Sequence, residues 1–406
     1  MIQQVWLVQR DESTPPPSPG DYHFIMAKAG TRVNLFGTEV PAGYRNGDFE
    51  IYINGQRVYQ DFYSLTYAAG DELIISRAAG SHMSAMPPLV VNSTSGRAAN
   101  HIQAVLEPLP KMNTTTCAGM FSGCTNLTGQ LPDRMFANNP QVVDFSNLFY
   151  QCNQLTGYIP GHMFEGCTEA ALFVATFREC SSLSQSIPGT LFEDCASALD
   201  FSDLFWGCTG LTGSIPVELF AGCPEVTDFK KTFANCRLLS GEIPEDLFIN
   251  NTKVKTFLTV FYSCSRLSGE IPEDLFSHAP DCTDMGFMFN NCINLTGSIP
   301  EHLFDRNPLV TSFADTFQGC TKLSGVVPRA LFANNPAVKR FMGTFRGCSK
   351  LLASELDIPA ENVSETNQFK YATQPVFIVH VKEGTATESM FRSVESSANI
   401  VVMADL

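Results

Sequence analysis

The chain has 406 residues, 44% of them hydrophobic and 17% charged, and carries a formal net charge of −15. That length suits two or three domains or one long array, and an acidic chain of this kind repels phosphate backbones, so no nucleic-acid partner is expected. No apolar run approaches the roughly 18 residues of a membrane-spanning helix, so no membrane insertion is expected, and residues 1–10 lack the basic start and apolar core of a secretory signal.

Short apolar runs open the chain, at residues 5–9, 23–27, 32–36, 49–54, 56–59 and 72–76, with turn residues between them. Ile51-Tyr52-Ile53-Asn54-Gly55-Gln56-Arg57-Val58 sets Asn-Gly between alternating apolar residues, a strong hairpin signal. The proline-rich stretch 14–20 reads as a stiff loop. These features predict a small all-β domain over residues 1–95, a sandwich or partly open barrel that attaches the rest of the chain to something larger. His23 and His82 stand alone in the sequence and read as ordinary structural or surface histidines. Segment 80–100 is rich in Gly, Ser, Ala, Asn and Pro and marks the boundary, with residues 87–91 a candidate last strand.

Next comes an array. Cys124, Cys152, Cys180, Cys208, Cys236, Cys264, Cys292, Cys320 and Cys348 fall 28 residues apart, and a fixed period in that range is the mark of a stacked solenoid. Three residues before each cysteine stands Phe, from Phe121 to Phe345, and three after it stands Leu, from Leu127 to Leu351. Phe also dominates seven residues before, as in Phe145, Phe229 and Phe341, and Val ten before, as in Val142 and Val226. Apolar spacings of 3, 4, 3 and 3 match a helix with one buried stripe. The following Leu-Ser/Thr-Gly-x-Ile-Pro reads as a short extended segment, and Pro-Glu-Asp-Leu-Phe, as at residues 244–248, as a brief helical turn with acids at its start. One rung is therefore helix, strand, short helical turn and loop. Stacking sets like residues beside like because no single rung can bury its own Phe, Leu, Ile and Cys.

The remaining cysteines fit the same frame. Cys117 and Cys282 occupy core columns held elsewhere by Phe and Val, whereas Cys167, Cys195 and Cys223 share a column with Asn139, Asn251, Asn307 and Asn335, which suggests a tight turn. With no C-x-x-C pair and no histidine at ligand spacing, the 14 cysteines read as free buried thiols; disulfides or a metal site are the alternative. Thiols kept reduced fit synthesis in a cytoplasm. No metal and no cofactor is expected.

Met120-Phe121-Ser122-Gly123-Cys124-Thr125-Asn126-Leu127 and Met288-Phe289-Asn290-Asn291-Cys292-Ile293-Asn294-Leu295 resemble the Met-Phe-x-x-Cys-x-x-Leu unit of the BspA-like leucine-rich-repeat proteins of bacteria. Leu-Ser-Gly-Glu-Ile-Pro is also similar to the plant-type leucine-rich repeat. The array departs from the BspA-like pattern by a longer connection around Pro-x-x-Leu-Phe-x-x-x-Pro. Members of that family are surface adhesion or recognition proteins, and such repeats occur in phage structural proteins; the resemblance implies binding without naming a ligand.

The period breaks after Leu352. Residues 362–369 look like a degenerate rung, and strands at 376–381 and 400–403 around a short helix at 387–394 look like a cap; the segment from Val379 to Gly384 resembles the closing end of BspA-like arrays. The expected fold is therefore α/β: a leucine-rich-repeat-like solenoid of about nine 28-residue rungs over 96–352, preceded by the all-β domain and closed by a short α/β cap over 353–406. No phosphate loop, nucleophile elbow or paired-histidine motif is present. Glu245-Asp246 and Glu273-Asp274 recur in one repeat column and read as helix-start acids rather than catalytic carboxylates. Variation concentrates two residues before each cysteine and at the outward position of the strand. Tyr150, Tyr158, Arg178, Trp206, Tyr262 and Arg346 occupy those positions and form the candidate ligand-binding face. The expectation is a non-enzymatic recognition or structural protein, a phage tail or fibre component made in the host cytoplasm. Its solenoid would meet a host-surface protein or glycan, and its front domain would meet other virion proteins. A bacterial cell-surface adhesin is the alternative, and homo-oligomerisation is left open.

Overall fold

A computed structural model describes residues 21–33, 35, 44–45, 48–61, 64–79, 81, 83, 85–87, 89, 101–364, 377–394 and 400–406. The strand expected at 5–9, the loop at 14–20, His82 and the last five residues of the degenerate rung lie outside them.

The front of the chain folds as a five-stranded sheet, in the order β4 (Gln56–Val58), β3 (Phe49–Ile53), β6 (Glu72–Arg77), β1 (Tyr22–Met26) and β7 (Ile102–Val105). A separate pair is formed by β2 (Gly30–Val33) and β5 (Leu65–Tyr67). The Asn-Gly signal is realised: Asn54 and Gly55 adopt φ of 49° and 78°, and Ile53 pairs with Gln56 across the turn. His23, isolated in sequence, is not isolated in space. Its Nε2 lies 2.7 Å from Glu72 Oε1, both side chains being buried between β1 and β6. Strand β7 has a second role. It pairs with β1 on one side, and Gln103 accepts a hydrogen bond from Thr128 N on the other. The front sheet thus runs directly into the first coil of the solenoid and covers its open end.

From there the protein is a mostly β solenoid. Parallel bridges run unbroken from Thr116 through Asp144, Leu172, Asp200, Asp228 and Thr256 to Asp284, and another joins Ser312 to Arg340. The expected helix is absent from these coils. Among the described residues the one α-helix is α1 (Ala386–Val394), close to the C-terminus. The physical reason lies in where the backbone N–H groups go. Thr232, Ala234 and Cys236 donate to the carbonyl three residues back, which makes successive tight turns. The residues between them, Lys231, Phe233 and Asn235, donate instead to Leu258, Val260 and Tyr262 of the next coil. Lys231 and Asn235 adopt φ of 58° and 61°, left-handed values that no run of α-helix contains. A helix would spend every N–H on itself and leave nothing to join coil to coil. Overlapping turns that start at every second residue accommodate the same apolar spacing as a helix while freeing alternate donors for the neighbour.

The Pro-Glu-Asp-Leu-Phe stretch is likewise a single turn, with Leu247 N donating to Pro244 O. The glycine of Leu-x-Gly-x-Ile sits at positive φ, 82° at Gly241, so it bends the segment as well as admitting the neighbouring backbone. Strand pairing there shrinks to pieces such as β8 (Ser240–Gly241) with β9 (Arg266–Leu267) and β10 (Ser324–Val326) with β11 (Lys350–Leu352).

Three ladders of phenylalanine fill the interior. Phe121, Phe149, Phe177 and Phe205 stack with centroids 5.5–5.7 Å apart. The same stack continues through Phe345 to Phe377 of β13 (Phe377–Val381), 5.2 Å away. The other two ladders interlock edge-on or tilted, as in Phe145 against Phe164 at 4.8 Å and Phe220 against Phe229 at 4.7 Å. Such pairs add about 0.5–1.5 kcal/mol each beyond the area they bury.

All fourteen cysteines are free and buried. The nine-member column does more than fill space: the thiols of Cys152, Cys180, Cys208 and Cys236 donate to the carbonyls of Phe121, Phe149, Phe177 and Phe205 in the preceding coil, at 2.9–3.1 Å. Burial drives the thiol pKa up, to about 12 at Cys264 and Cys348, so thiolate is scarce at neutral pH. The native protein should therefore leave its thiols unmodified by a water-soluble disulfide reagent over minutes at pH 8 and react fully once unfolded in guanidinium, read as released chromophore per chain.

Cys167 and Cys223 share their column with asparagine because both side chains can donate into the coil behind. Asn251 Nδ2 reaches Phe220 O and Cys223 O at 3.2 and 2.7 Å, and Cys223 Sγ reaches Phe192 O at 3.5 Å. A further column holds Asp144, Asp200, Asp228 and Asp284, each accepting through Oδ1 from the N–H two residues on, the Asx-turn arrangement. Burial raises the carboxyl pKa at Asp228 and Asp284.

Stacking does not stop where the 28-residue period does. Strands β12 (Ser354–Ile358), β13 and β14 (Ile400–Ala404) form a parallel sheet that sets Leu356, Val379 and Val402 side by side, 23 residues apart. Helix α1 fills the connection between β13 and β14. One continuous core extends from Tyr22 to Val402.

Candidate functional site

At Tyr150, Arg178 and Trp206 the residue two before the cysteine is held on the outer face by the bond that joins the coils. Gly123 N donates to Tyr150 O, Gln151 N to Arg178 O and Glu179 N to Trp206 O, at 2.7–2.9 Å. The donor in each case sits at positive φ: 70° at Gly123, 61° at Gln151 and 61° at Glu179. That turn aims the preceding side chain outward, flanked by the buried Phe and Cys.

Tyr150, Arg178 and Trp206 come together there in consecutive coils. The Arg178 guanidinium lies 3.7 Å from the Trp206 ring centroid and 5.3 Å from that of Tyr150. Lys231 Nζ approaches Trp206 at 4.8 Å from the following coil. The cations are balanced nearby: Arg178 Nε is 3.5 Å from Glu179 Oε1, Gln151 donates to Glu179 Oε2 at 3.0 Å, and Lys231 Nζ is 3.7 Å from Asp203 Oδ1. All three stacked side chains are half-buried. The result is a pre-ordered strip of aromatic faces and paired charges, and cation–π contacts of this kind are worth about 0.5–1 kcal/mol where exposed.

The other candidates lie apart from this strip. Buried Ala234 separates Tyr262 from Trp206 along the column, and exposed Arg346 stands near the column's far end. Tyr158 is on a different face, 48% exposed, its backbone held at both ends by the Gln130 amide. Sequence columns missed Lys231, Asp203 and Glu179, which approach from the two left-handed positions; the mixture of Gly, Asn and charged residues in those columns was the available signal. Glu245 and Glu273 line a groove on another face. Among the described residues no three His, Cys, Asp or Glu side chains are grouped to hold a metal ion, and no helix is long and apolar enough to cross a membrane.

Fold and stacked face together define a mostly β solenoid of stacked coils. The family described as a Mycoplasma protein of unknown function, DUF285, matches residues 171–302, a minority of the chain. Among solved structures, a leucine-rich cell surface protein from Faecalibacterium prausnitzii is similar over 76% of this chain and 95% of its own, at 14% identity and a TM-score of 0.27. TLR13, solved in complex with a single-stranded RNA, is similar over 71% of this chain and 52% of its own, at 11% identity and a TM-score of 0.13. No curated protein matches.

Proposed function

We propose that this is a non-enzymatic recognition protein whose solenoid presents the Tyr150–Arg178–Trp206 face to a protein or glycan on a cell surface. The observation that carries the reading is the stack itself: three large side chains from three coils held in one strip beside Lys231, while the repeated columns around them are spent on the core. Rigid aromatic faces next to Arg are the chemistry of binding hot spots. Burial pushes the interior thiols and the Tyr22 and Tyr67 phenols up, and the thiols are sealed in the core where no substrate can reach them, which favours binding over catalysis. Tyr158, Tyr262 and Arg346 would extend contact beyond the strip.

We assign residues 1–95 to attachment, 96–352 to display in about nine 28-residue rungs and 353–406 to closure. The context we favour is a phage tail or fibre component that joins other virion proteins through its front domain and meets a bacterial host through the solenoid. An adhesin on a bacterial surface is the alternative, and proteomics of purified particles separates the two, since absence from virions removes the first. Binding of the labelled full chain to candidate host cells tests the face. Trp206→Ala and Tyr150→Ala should each weaken it about tenfold or more; unchanged binding by both variants removes this face from the proposal.

A further inference from the structure

A second surface runs along the x-Ile-Pro-x edge of the coils, apart from the aromatic strip. A groove of about 1200 Å³ crosses it from Ser214 to Pro328. Its floor is the half-buried prolines Pro244, Pro272 and Pro300, above the buried Ile243, Ile271 and Ile299, and its rims carry Glu242, Glu245, Glu270, Glu273 and Glu301. At Val326 it meets a smaller depression of about 440 Å³ lined by Val327, Ser354, Glu355 and Ile378. Val326 and its strand partner Leu352 are 54% and 56% exposed, so the acidic groove ends beside two exposed apolar side chains, with Arg329 held to Glu355 next to them at 3.2 Å.

Two features bear on these glutamates as a row. The first is geometric. A Cβ on Gly269 would lie 2.6 Å from Glu242 Cγ, and one on Gly297 would lie 2.7 Å from Glu270 Cγ. The repeat glycine is therefore a shelf on which the preceding coil's glutamate lies along the stacking axis, lining carboxylates up in a row. The second is electrostatic. Some charges are paired from coil to coil, as in Lys253–Glu225 at 2.5 Å and Arg134–Glu165 at 2.9 Å. Among the described residues Glu242, Glu245 and Glu270 form no ion pair. Like charges stacked in neighbouring strands repel, a cost that a cationic occupant would offset.

We propose that this groove docks an extended, lysine- or arginine-bearing segment of a partner protein. Its cations meet the glutamate rows, and its apolar side chains lie on the prolines and the Val326–Leu352 end. Neighbouring coils repeat at about 4.8 Å along the stack, and an extended chain presents same-side residues about 6.6–6.8 Å apart; long lysine and arginine stems take up the difference. A row of carboxylates with no cluster of three ligands suits such a segment better than a single metal ion.

The test is fluorescence anisotropy of the full chain with a short labelled peptide alternating lysine with valine or serine, and the same peptide with glutamate for lysine. The lysine peptide should bind and weaken as salt is raised, and the glutamate peptide should not bind. The triple variant Glu242→Gln, Glu245→Gln, Glu270→Gln should lose about tenfold or more in affinity, with its circular dichroism unchanged. Neutralising three exposed acids on another part of the coils, Glu169→Gln, Glu193→Gln and Asp281→Asn, should leave affinity as it was. Failure of the lysine peptide to bind, equal binding of the two peptides, or equal loss in both triple variants overturns the proposal. Cell binding by the groove variant distinguishes this from the aromatic face, because loss of one surface leaves the other intact.

Discussion

Phe220→Ala is expected to destabilise the solenoid by about 3–5 kcal/mol, the cost of truncating a fully buried aromatic side chain and leaving a cavity behind. Phe220 is fully buried and faces five other rings: Phe192, Phe201, Phe229, Phe233 and Phe248, with centroids 4.7–6.4 Å away. Truncation breaks one ladder and removes the wedge that locks it to the other two. Collapse into the gap is resisted because the coils above and below are fixed by backbone bonds such as Phe205 N to Thr232 O at 2.9 Å. A stacked array takes such damage locally. Hydrogen exchange should therefore accelerate most in the coils spanning residues 192–261, while the sheet of β12, β13 and β14 keeps its protection. Phe220→Leu, which restores much of the volume, should cost distinctly less. An unchanged denaturation midpoint in the Ala variant would mean that the ladders add little beyond the backbone bonding.

The repeat made the core legible. Stacking demands like beside like, so Phe, Cys, Leu and Ile columns announce themselves in one sequence, and all are buried. The path of the chain between those columns was not legible from apolar spacing, because a 3-4-3 rhythm suits both a helix and a run of tight turns. A polar signal separates the two. Six of the nine residues just before the cysteine are Gly or Asn, namely Gly123, Gly207, Asn235, Asn291, Gly319 and Gly347, and each takes positive φ. The column of Asp144, Asp200, Asp228 and Asp284 is a second turn signature. At the C-terminal end the step between strands shortens to 23 residues, which breaks a register read at 28 even though the core continues. In the candidate site, one column was enough to find Tyr150, Arg178 and Trp206. Lys231 and Asp203 belong to another column, brought near by the turn at Lys231, and no single-column reading joins them.

The second large effect concerns a column that looks dispensable in sequence because it accepts both Asn and Cys. Asn307→Ala is expected to cost about 1 kcal/mol, two buried hydrogen bonds lost against the removal of a buried Oδ1 that has no partner. Asn307 is fully buried, and its Nδ2 donates to Phe276 O at 3.0 Å and Ala279 O at 2.8 Å in the preceding coil. Each carbonyl also accepts a turn bond, from Ala279 N and Cys282 N respectively, so neither is left bare. What is lost is the side-chain tie between coils where few backbone bonds cross. Asn307→Cys should recover part of the loss, because Cys223 fills the equivalent place and reaches Phe192 O through its thiol at 3.5 Å. Asn307→Asp should do worse than Ala: a carboxylate offers no donor to two carbonyls and would be buried against them. The order Asn, Cys, Ala, Asp in denaturation midpoint is the expected result. Equal midpoints for Asn and Ala would show that the column is held by its turn alone and that its polar side chains contribute nothing to joining the coils.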